Sequence, residues 1–336
     1  MKKKTLLGIG LATMLLLAAC GNSSDKKTEE AASESHYPLT VENFAKAEGG
    51  SEWTKKEQVF DKAPERIMAN TRPAAELLLH LGLGDRIVGV SADFGAPDPT
   101  VADDYAKLTI ISDGYVGKEV TLGTNPDLVY GRGGLFDNAD WGVGTVDSLN
   151  EMGIKTYVLE SSVTGGTYAS IYKDIENLGN IFSVQDKAQS FIDVLKAKED
   201  AIAKSLESIT ENKTFAYLHT NDPKELYVWS AHGESFFHAA FNMVKLDNVF
   251  KDITGDVSLE TLISTDPDVL ILPNFDGSDL SHVRDAIYEN PKLSSMKAIK
   301  NKAIYIVDYN YLFGYGYNTI DGMELLAKEM YPELFK

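Results

Sequence analysis

Of the 32 lysines and arginines in this 336-residue sequence only five are arginine: Arg66, Arg72, Arg86, Arg132 and Arg284. Two of these are placed to do chemistry. Arg72 and Arg132 fall in loops just after short apolar runs, Ile67-Met68-Ala69 and Leu128-Val129-Tyr130. A guanidinium there offers a fixed fork of donors that suits carboxylates and other oxygen-rich anions. The competing expectation is a surface arginine paired with an acid, since acids outnumber bases 50 to 32. Aromatic residues gather at the same kind of loop. Phe94, Tyr115, Phe136 and Trp141 lie in the first half of the chain, and Trp229 with Tyr309, Tyr311, Tyr315 and Tyr317 in the second. Aromatic walls carrying a few charged groups suit a bulky, partly flat ligand. Phe136 and Phe313 are expected to serve packing instead. The four tyrosines beside Gly314 and Gly316 are expected to be too exposed to be core alone.

A pair of carboxylates is placed even more specifically. Glu119 precedes Pro126-Asp127 by the same spacing that separates Glu260 from Pro267-Asp268, and an apolar run follows each time. A short helix must stop before each proline, because the pre-proline residue avoids the α region. The apolar runs suit strands buried on both faces. Each glutamate then falls in the first turn of its helix, where the dipole favours a negative charge. Beyond that local role, two equivalent carboxylates, one per half, suit two equivalent basic pockets on a symmetric partner.

Other chemistries find little support. No G-x-S-x-G elbow, H-E-x-x-H helix, G-x-x-x-x-G-K-[ST] phosphate loop or G-x-G-x-x-G turn occurs outside the N-terminal leader, which favours binding over catalysis. Among the six histidines, His36 falls in a tether and His80 in an amphipathic helix. His219, His232, His238 and His282 all belong to the second half, so a dedicated metal-ion site shared between the halves is not expected. The net charge of −18 repels nucleic acid and anionic headgroups. The single cysteine, Cys20, excludes an intramolecular disulfide. Lys2, Lys3 and Lys4, an apolar core from Leu6 to Leu17, and Leu17-Ala18-Ala19-Cys20-Gly21 resemble a bacterial lipoprotein signal. In such a signal the cysteine thiol is alkylated by diacylglycerol and becomes the mature N-terminus.

The elements that position these groups are legible as alternating strands and helices, an α/β pattern with parallel sheets. Between the two halves, Ala188, Ile192, Leu195, Ile202, Leu206 and Ile209 form one stripe opposite a lysine-rich and acid-rich face. This predicts a long helix over 183–209, continuous for about 25 residues or roughly 38 Å at 1.5 Å per residue. The expected organisation is a signal at 1–19, and a lipid-attached tether with an N-terminal edge segment at 20–56. A lobe at 57–182, the connecting helix at 183–209 and a second lobe at 210–336 follow. Tyr37, Leu39 and Val41, the Gly49-Gly50 turn and Val59-Phe60 predict a hairpin ahead of the first lobe.

In order and spacing, Glu65-Arg66-Ile67, Ala75-Glu76-Leu77-Leu78 and the run from Leu81 to Val90 resemble the bacterial iron-complex and cobalamin-binding lipoproteins. So do Asn125-Pro126-Asp127, Asp266-Pro267-Asp268 and Ala298 to Asn301, so that the likeness covers residue 57 to the end. The resemblance implies two Rossmann-like lobes joined by a single long rigid α-helix, a shallow cleft between them, and the role of monomeric substrate-binding receptor for an ABC importer. It places Arg72, Asp93, Tyr115, Arg132, Trp229, His232, Tyr309, Tyr311, Tyr315 and Tyr317 at the ligand. It also implies that Glu119 and Glu260 dock on the permease dimer, and that Cys20 anchors the protein to the outer face of a Gram-positive membrane. The two arginines fit a ferric siderophore or haem propionates better than cobalamin or a bare metal ion, with the siderophore preferred. No cofactor is expected. An adhesin or surface enzyme that reuses the fold is the alternative of another class.

Overall fold

The computed structural model describes residues 36–220, 222–274 and 278–335. Cys20 and the lipoprotein signal therefore lie outside the described residues. The chain opens with β1 (Leu39–Ala45) and β2 (Thr54–Phe60), paired antiparallel, so the expected hairpin forms. The boundary expected at 56/57 falls inside β2. Asn43, 1% exposed, ties the hairpin to the next sheet: its amide donates to the Thr156 carbonyl at 3.0 Å and its oxygen accepts from Val158 N at 2.8 Å.

The first sheet has the order β4-β3-β5-β6, every neighbour parallel. Its strands are β3 (Ile67–Ala69), β4 (Ile87–Val90), β5 (Leu128–Gly131) and β6 (Lys155–Val158). The helices around it are α1 (Arg72–His80), α2 (Ala102–Tyr105), α3 (Lys118–Gly123) and α4 (Val146–Glu151). Helix α1 starts where its chemistry allows: the Thr71 side chain accepts from Ala74 N, and Pro73 sits in the first turn, where its missing N–H costs nothing.

Two helices, α5 (Ser170–Phe182) and α6 (Gln185–Ser205), carry the chain onward. The long helix predicted over 183–209 thus begins at Gln185 and ends at Ser205. Ser183 takes a left-handed conformation (φ 56°) that stops α5 and turns the chain into α6, and the two helices then pack on each other. After α5, the chain reaches the second sheet through α6, one uninterrupted helix inside the predicted span.

The second sheet has the order β11-β10-β7-β8, with β9 added beside β7. It comprises β7 (Lys213–Leu218), β8 (Val228–Trp229), β9 (Leu246–Asn248), β10 (Val269–Asn274) and β11 (Ile304–Asp308). All pairings are parallel except β7 with β8. Its helices are α7 (Ser235–Met243), α8 (Leu259–Thr265), α9 (Ser281–Tyr288), α10 (Lys297–Lys300) and α11 (Thr319–Met330). Both sheets belong to one compact unit, His36–Lys336.

The repeated Pro-Asp motif has a shared structural cause. Asn125 and Asp266, each just before the proline, take left-handed φ values of 52° and 51°, as short polar side chains permit. Asp127 then accepts from Glu65 N and Arg66 N, both at 2.8 Å. Asp268 accepts from Thr214 N at 3.0 Å and Thr214 Oγ1 at 2.8 Å. In each half the aspartate fastens the start of the neighbouring strand, β3 or β7. Glu119 and Glu260 consequently occupy the same second helical position of α3 and α8, and both are exposed.

Candidate functional site

In the first sheet the chain leaves β3 towards β4 on one side and β5 lies on the other, a switch point of the kind where α/β sheets bind ligands. Arg132 stands just beyond the carboxyl end of β5. Its backbone is held from the end of β3 by Asn70, which is fully buried. Asn70 Oδ1 accepts from Arg132 N at 2.8 Å, and Asn70 Nδ2 donates to the Arg132 carbonyl at 3.0 Å. The hook requires Gly131 (φ 136°), because a Cβ there would stand 2.0 Å from Asn70 Oδ1.

The Arg132 side chain faces a cavity of about 330 Å³ lined by both halves: Lys46 and Trp53 of the hairpin loop, Ser162, and His232, Glu234 and Tyr315 from the second half. Arg132 Nη1 donates to the hydroxyls of Tyr115 at 3.3 Å and Tyr309 at 3.2 Å. The guanidinium carbon lies 5.1 Å from the Tyr315 ring centroid. No ion pair among the described residues includes Arg132, and its Nε and Nη2 have no hydrogen-bond acceptor there. Tyr315 in turn donates to Glu234 Oε2 at 2.7 Å. Burial lifts the Glu234 carboxyl above the ordinary range, against the pull of Tyr315 and Arg132. The net result is a cation with unspent donors among tyrosine hydroxyls, a setting for an oxygen-rich anion.

Arg72 behaves differently. Its Nη2 lies 2.6 Å from Asp93 Oδ1, its guanidinium covers the Tyr105 ring, and the side chain is 11% exposed. Asp93 Oδ1 also accepts from the Tyr105 hydroxyl at 2.7 Å. Here the acid-paired alternative is what the structure shows: Asp93 neutralises Arg72 through Nη2, and the buried Arg72 Nε is left without a hydrogen-bond partner among the described residues. Nearby, Glu76 is fully buried with one carboxyl oxygen accepting from Asp98 N and the other unpartnered. Burial pushes its carboxyl up to about 8.

The tyrosine loop divides. Tyr309, Tyr315 and Tyr317 are only 7%, 8% and 2% exposed, so the expectation of an exposed cluster is corrected. The loop folds back between β11 and α11, where Gly314 and Gly316 let it press on Pro73. Tyr317 donates to Asp98 Oδ2 at 2.6 Å and packs on His80 and Phe191. With Tyr311 it lines a separate, more apolar cavity of about 510 Å³ against α6 and α11. Trp229 does not line the Arg132 cavity either; it stacks on Phe313, which stacks on Tyr309. Phe136 and Phe313 are buried, as their packing role requires. His232 is exposed on the cavity rim, its Nδ1 held 3.0 Å from the Lys251 carbonyl. Among the ten residues placed at the ligand, the cavity wall therefore collects Arg132, His232 and Tyr315, with Tyr115 and Tyr309 supporting Arg132. Lys46, Trp53 and Glu234 join them without having been singled out. Among the described residues no three His, Cys, Asp or Glu side chains are grouped to hold a metal ion, and no helix is long and apolar enough to cross a membrane.

A family model described as a periplasmic binding protein matches residues 67–311. The chain is 25% identical over 344 residues to the ABC transporter substrate-binding lipoprotein YvrC of Bacillus subtilis, all of both chains being covered. It is 24% identical over 345 residues, again with full coverage, to the petrobactin-binding protein YclQ of the same organism. Its fold matches that of an ABC-type Fe3+-hydroxamate transport system from Saccharomonospora viridis with a TM-score of 0.69 and 25% identity, covering 88% of this chain and 99% of that one. A periplasmic binding protein from Veillonella parvula aligns with a TM-score of 0.75 at 22% identity, over 87% and 98% of the two chains. With both sheets inside the matched region and the cavity at the carboxyl ends of their strands, the chain belongs to the periplasmic binding protein family, the substrate-binding receptors of ABC importers.

Proposed function

We propose that this receptor captures a ferric siderophore in the Arg132 cavity and delivers it to the permease of its importer. The observation that carries the reading is the guanidinium of Arg132: unpaired with any described carboxylate, backed by Tyr115 and Tyr309, and opening on a cavity shared by both halves. The oxygen donors of an iron chelate are what such a group recognises. The petrobactin-binding and Fe3+-hydroxamate relatives support an iron chelate as the ligand class. The test is a titration of the soluble form, starting at Asn22, with ferric hydroxamates, catecholates, carboxylates and haemin. Trp53 at the cavity and Trp229 in the aromatic stack report binding. Saturable quenching by one ferric class is the expected result, and silence across the panel would remove the reading.

Haem is the second reading, and His232 favours it. A histidine whose Nδ1 is held by a backbone carbonyl, as Lys251 holds His232, presents Nε2 as a ligand. A Soret band on mixing with haemin that is lost in His232→Ala would put haem first.

The proposed setting is a monomer, lipid-anchored through Cys20 to the outer face of a Gram-positive membrane, with α6 as a stiff connector between two lobes. Glu119 and Glu260, equally placed on α3 and α8, are proposed to dock on the permease dimer. The double variant Glu119→Ala/Glu260→Ala is expected to bind chelate as wild type does, within about twofold, while iron uptake by cells falls roughly tenfold or more. Unchanged uptake would end the docking assignment.

A further inference from the structure

The hairpin supplies two cavity residues that lie ahead of the family-matched region, Lys46 directly after β1 and Trp53 directly before β2. Their placement is firm. Trp53 backs onto the loop that carries Arg132: a Cβ on Gly133 would stand 3.0 Å from its ring. The hairpin itself is pinned to β6 through Asn43. Lys46 Nζ lies 5.7 Å from the Trp53 ring centroid and 3.2 Å from Asp137 Oδ2, and the lysine and aspartate side chains are only 11% and 12% exposed. An ammonium carries three donors. Asp137 takes one, and among the described residues Lys46 makes no other hydrogen bond. Asp137 has further partners, since its Oδ1 accepts from Ala139 N at 3.2 Å.

We propose that Lys46 and Trp53 form a selectivity subsite for an anionic aryl group, so that the cavity prefers an iron chelate of the catecholate class. The inference rests on the siderophore reading and narrows it. Two unspent ammonium donors at the wall of a cavity that already holds Arg132 favour a ligand with net negative charge, and the indole beside them offers a flat face for an aromatic ring. A ferric tris-catecholate is triply negative and aromatic. A ferric tris-hydroxamate is neutral, and it gains nothing from a second cation.

The test is calorimetric titration of the soluble form with ferric tris(catecholate) and with ferric tris(acetohydroxamate), using wild type, Lys46→Met, Lys46→Arg and Asp137→Asn. Wild type is expected to bind the catecholate complex more tightly. Lys46→Met should weaken catecholate binding about tenfold or more, the scale of one lost charge-assisted hydrogen bond, and hydroxamate binding less than about threefold. Lys46→Arg should retain the preference. Asp137→Asn removes the same ion pair but keeps the cation, so it should bind catecholate at least as well as wild type. Weakening of catecholate binding by Asp137→Asn to the level of Lys46→Met would mean that the pair only supports the fold, and would overturn the subsite. Equal loss for both complexes in Lys46→Met, or a wild-type preference for hydroxamate, would overturn it while leaving the siderophore reading intact. Binding of neither complex, nor of any other ferric chelate, would remove both.

Discussion

Arg72 and Arg132 occupy corresponding places, each just past the carboxyl end of a neighbouring strand of one parallel sheet, and they come to opposite ends. Arg72 finds Asp93 across a short loop and the Tyr105 ring beneath it, so its charge is consumed in holding that loop to α1. Arg132 is surrounded by hydroxyls, which accept hydrogen bonds without neutralising it. A cation at a strand end is therefore free for a ligand only when the acids near it are engaged elsewhere. The acid that acts on Arg132, Glu234, is engaged by Tyr315 and lifted by burial. The two neighbourhoods also differ in polarity. Glu76, Asp93, Asp98 and His80 make the Arg72 side a buried electrostatic knot, whereas the Arg132 side opens to a cavity.

This contrast can be broken first through stability. Arg72→Ala leaves Asp93 and its Tyr105 hydrogen bond without the cation that balances them. Removing one partner of a largely buried pair costs about 3 kcal/mol. Urea unfolding should show that loss, and Arg132→Ala should show less than about 1 kcal/mol, because no carboxylate is ion-paired with that cation and Glu234, which it acts on at longer range, keeps its Tyr315 hydrogen bond. Equal losses would mean that Arg132 is as structural as Arg72.

A smaller effect follows from Glu76, which belongs to the Arg72 side. Its folded carboxyl titrates at about 8 against an ordinary value of 4.5. Between those values the folded protein keeps a proton that the unfolded chain releases, so this group's contribution to stability is complete below about pH 4.5 and is lost as pH rises through 8. Wild type should therefore unfold more easily at pH 8 than at pH 5, by roughly 2 kcal/mol from this group after discounting its full shift. Glu76→Gln should flatten the profile. Asp174, fully buried and pushed up to about 7, acts in the same sense over a narrower window and should leave a residual slope. Identical profiles for wild type and Glu76→Gln would show that the buried carboxyl is not the source.

Much of this scaffold is legible from residue patterns. The Pro-Asp repeat, the Gly49-Gly50 hairpin and α11 all follow from local rules of φ, capping and periodicity, because their causes lie within a few residues. What escapes is set by distant neighbours. The pairing of Arg72 with Asp93 spans 21 residues, and the hook from Asn70 to Arg132 spans 62. Neither leaves a periodic trace. The tyrosine loop looked exposed because glycines and tyrosines usually mark surface loops. Here the glycines instead let the loop press against Pro73 and bury Tyr315 and Tyr317.

The central claim is that the ligand is held by Arg132 and not by Arg72, and side-by-side titration tests it most directly. Wild type, Arg132→Ala and Arg72→Ala would each be titrated with the ferric chelate that binds wild type most tightly, at a temperature where all three are folded. Arg132→Ala should lose about 30-fold or more in affinity, the scale of two charge-assisted hydrogen bonds, and Arg72→Ala less than about threefold. Equal losses in the two variants, or a larger loss in Arg72→Ala, would contradict the account.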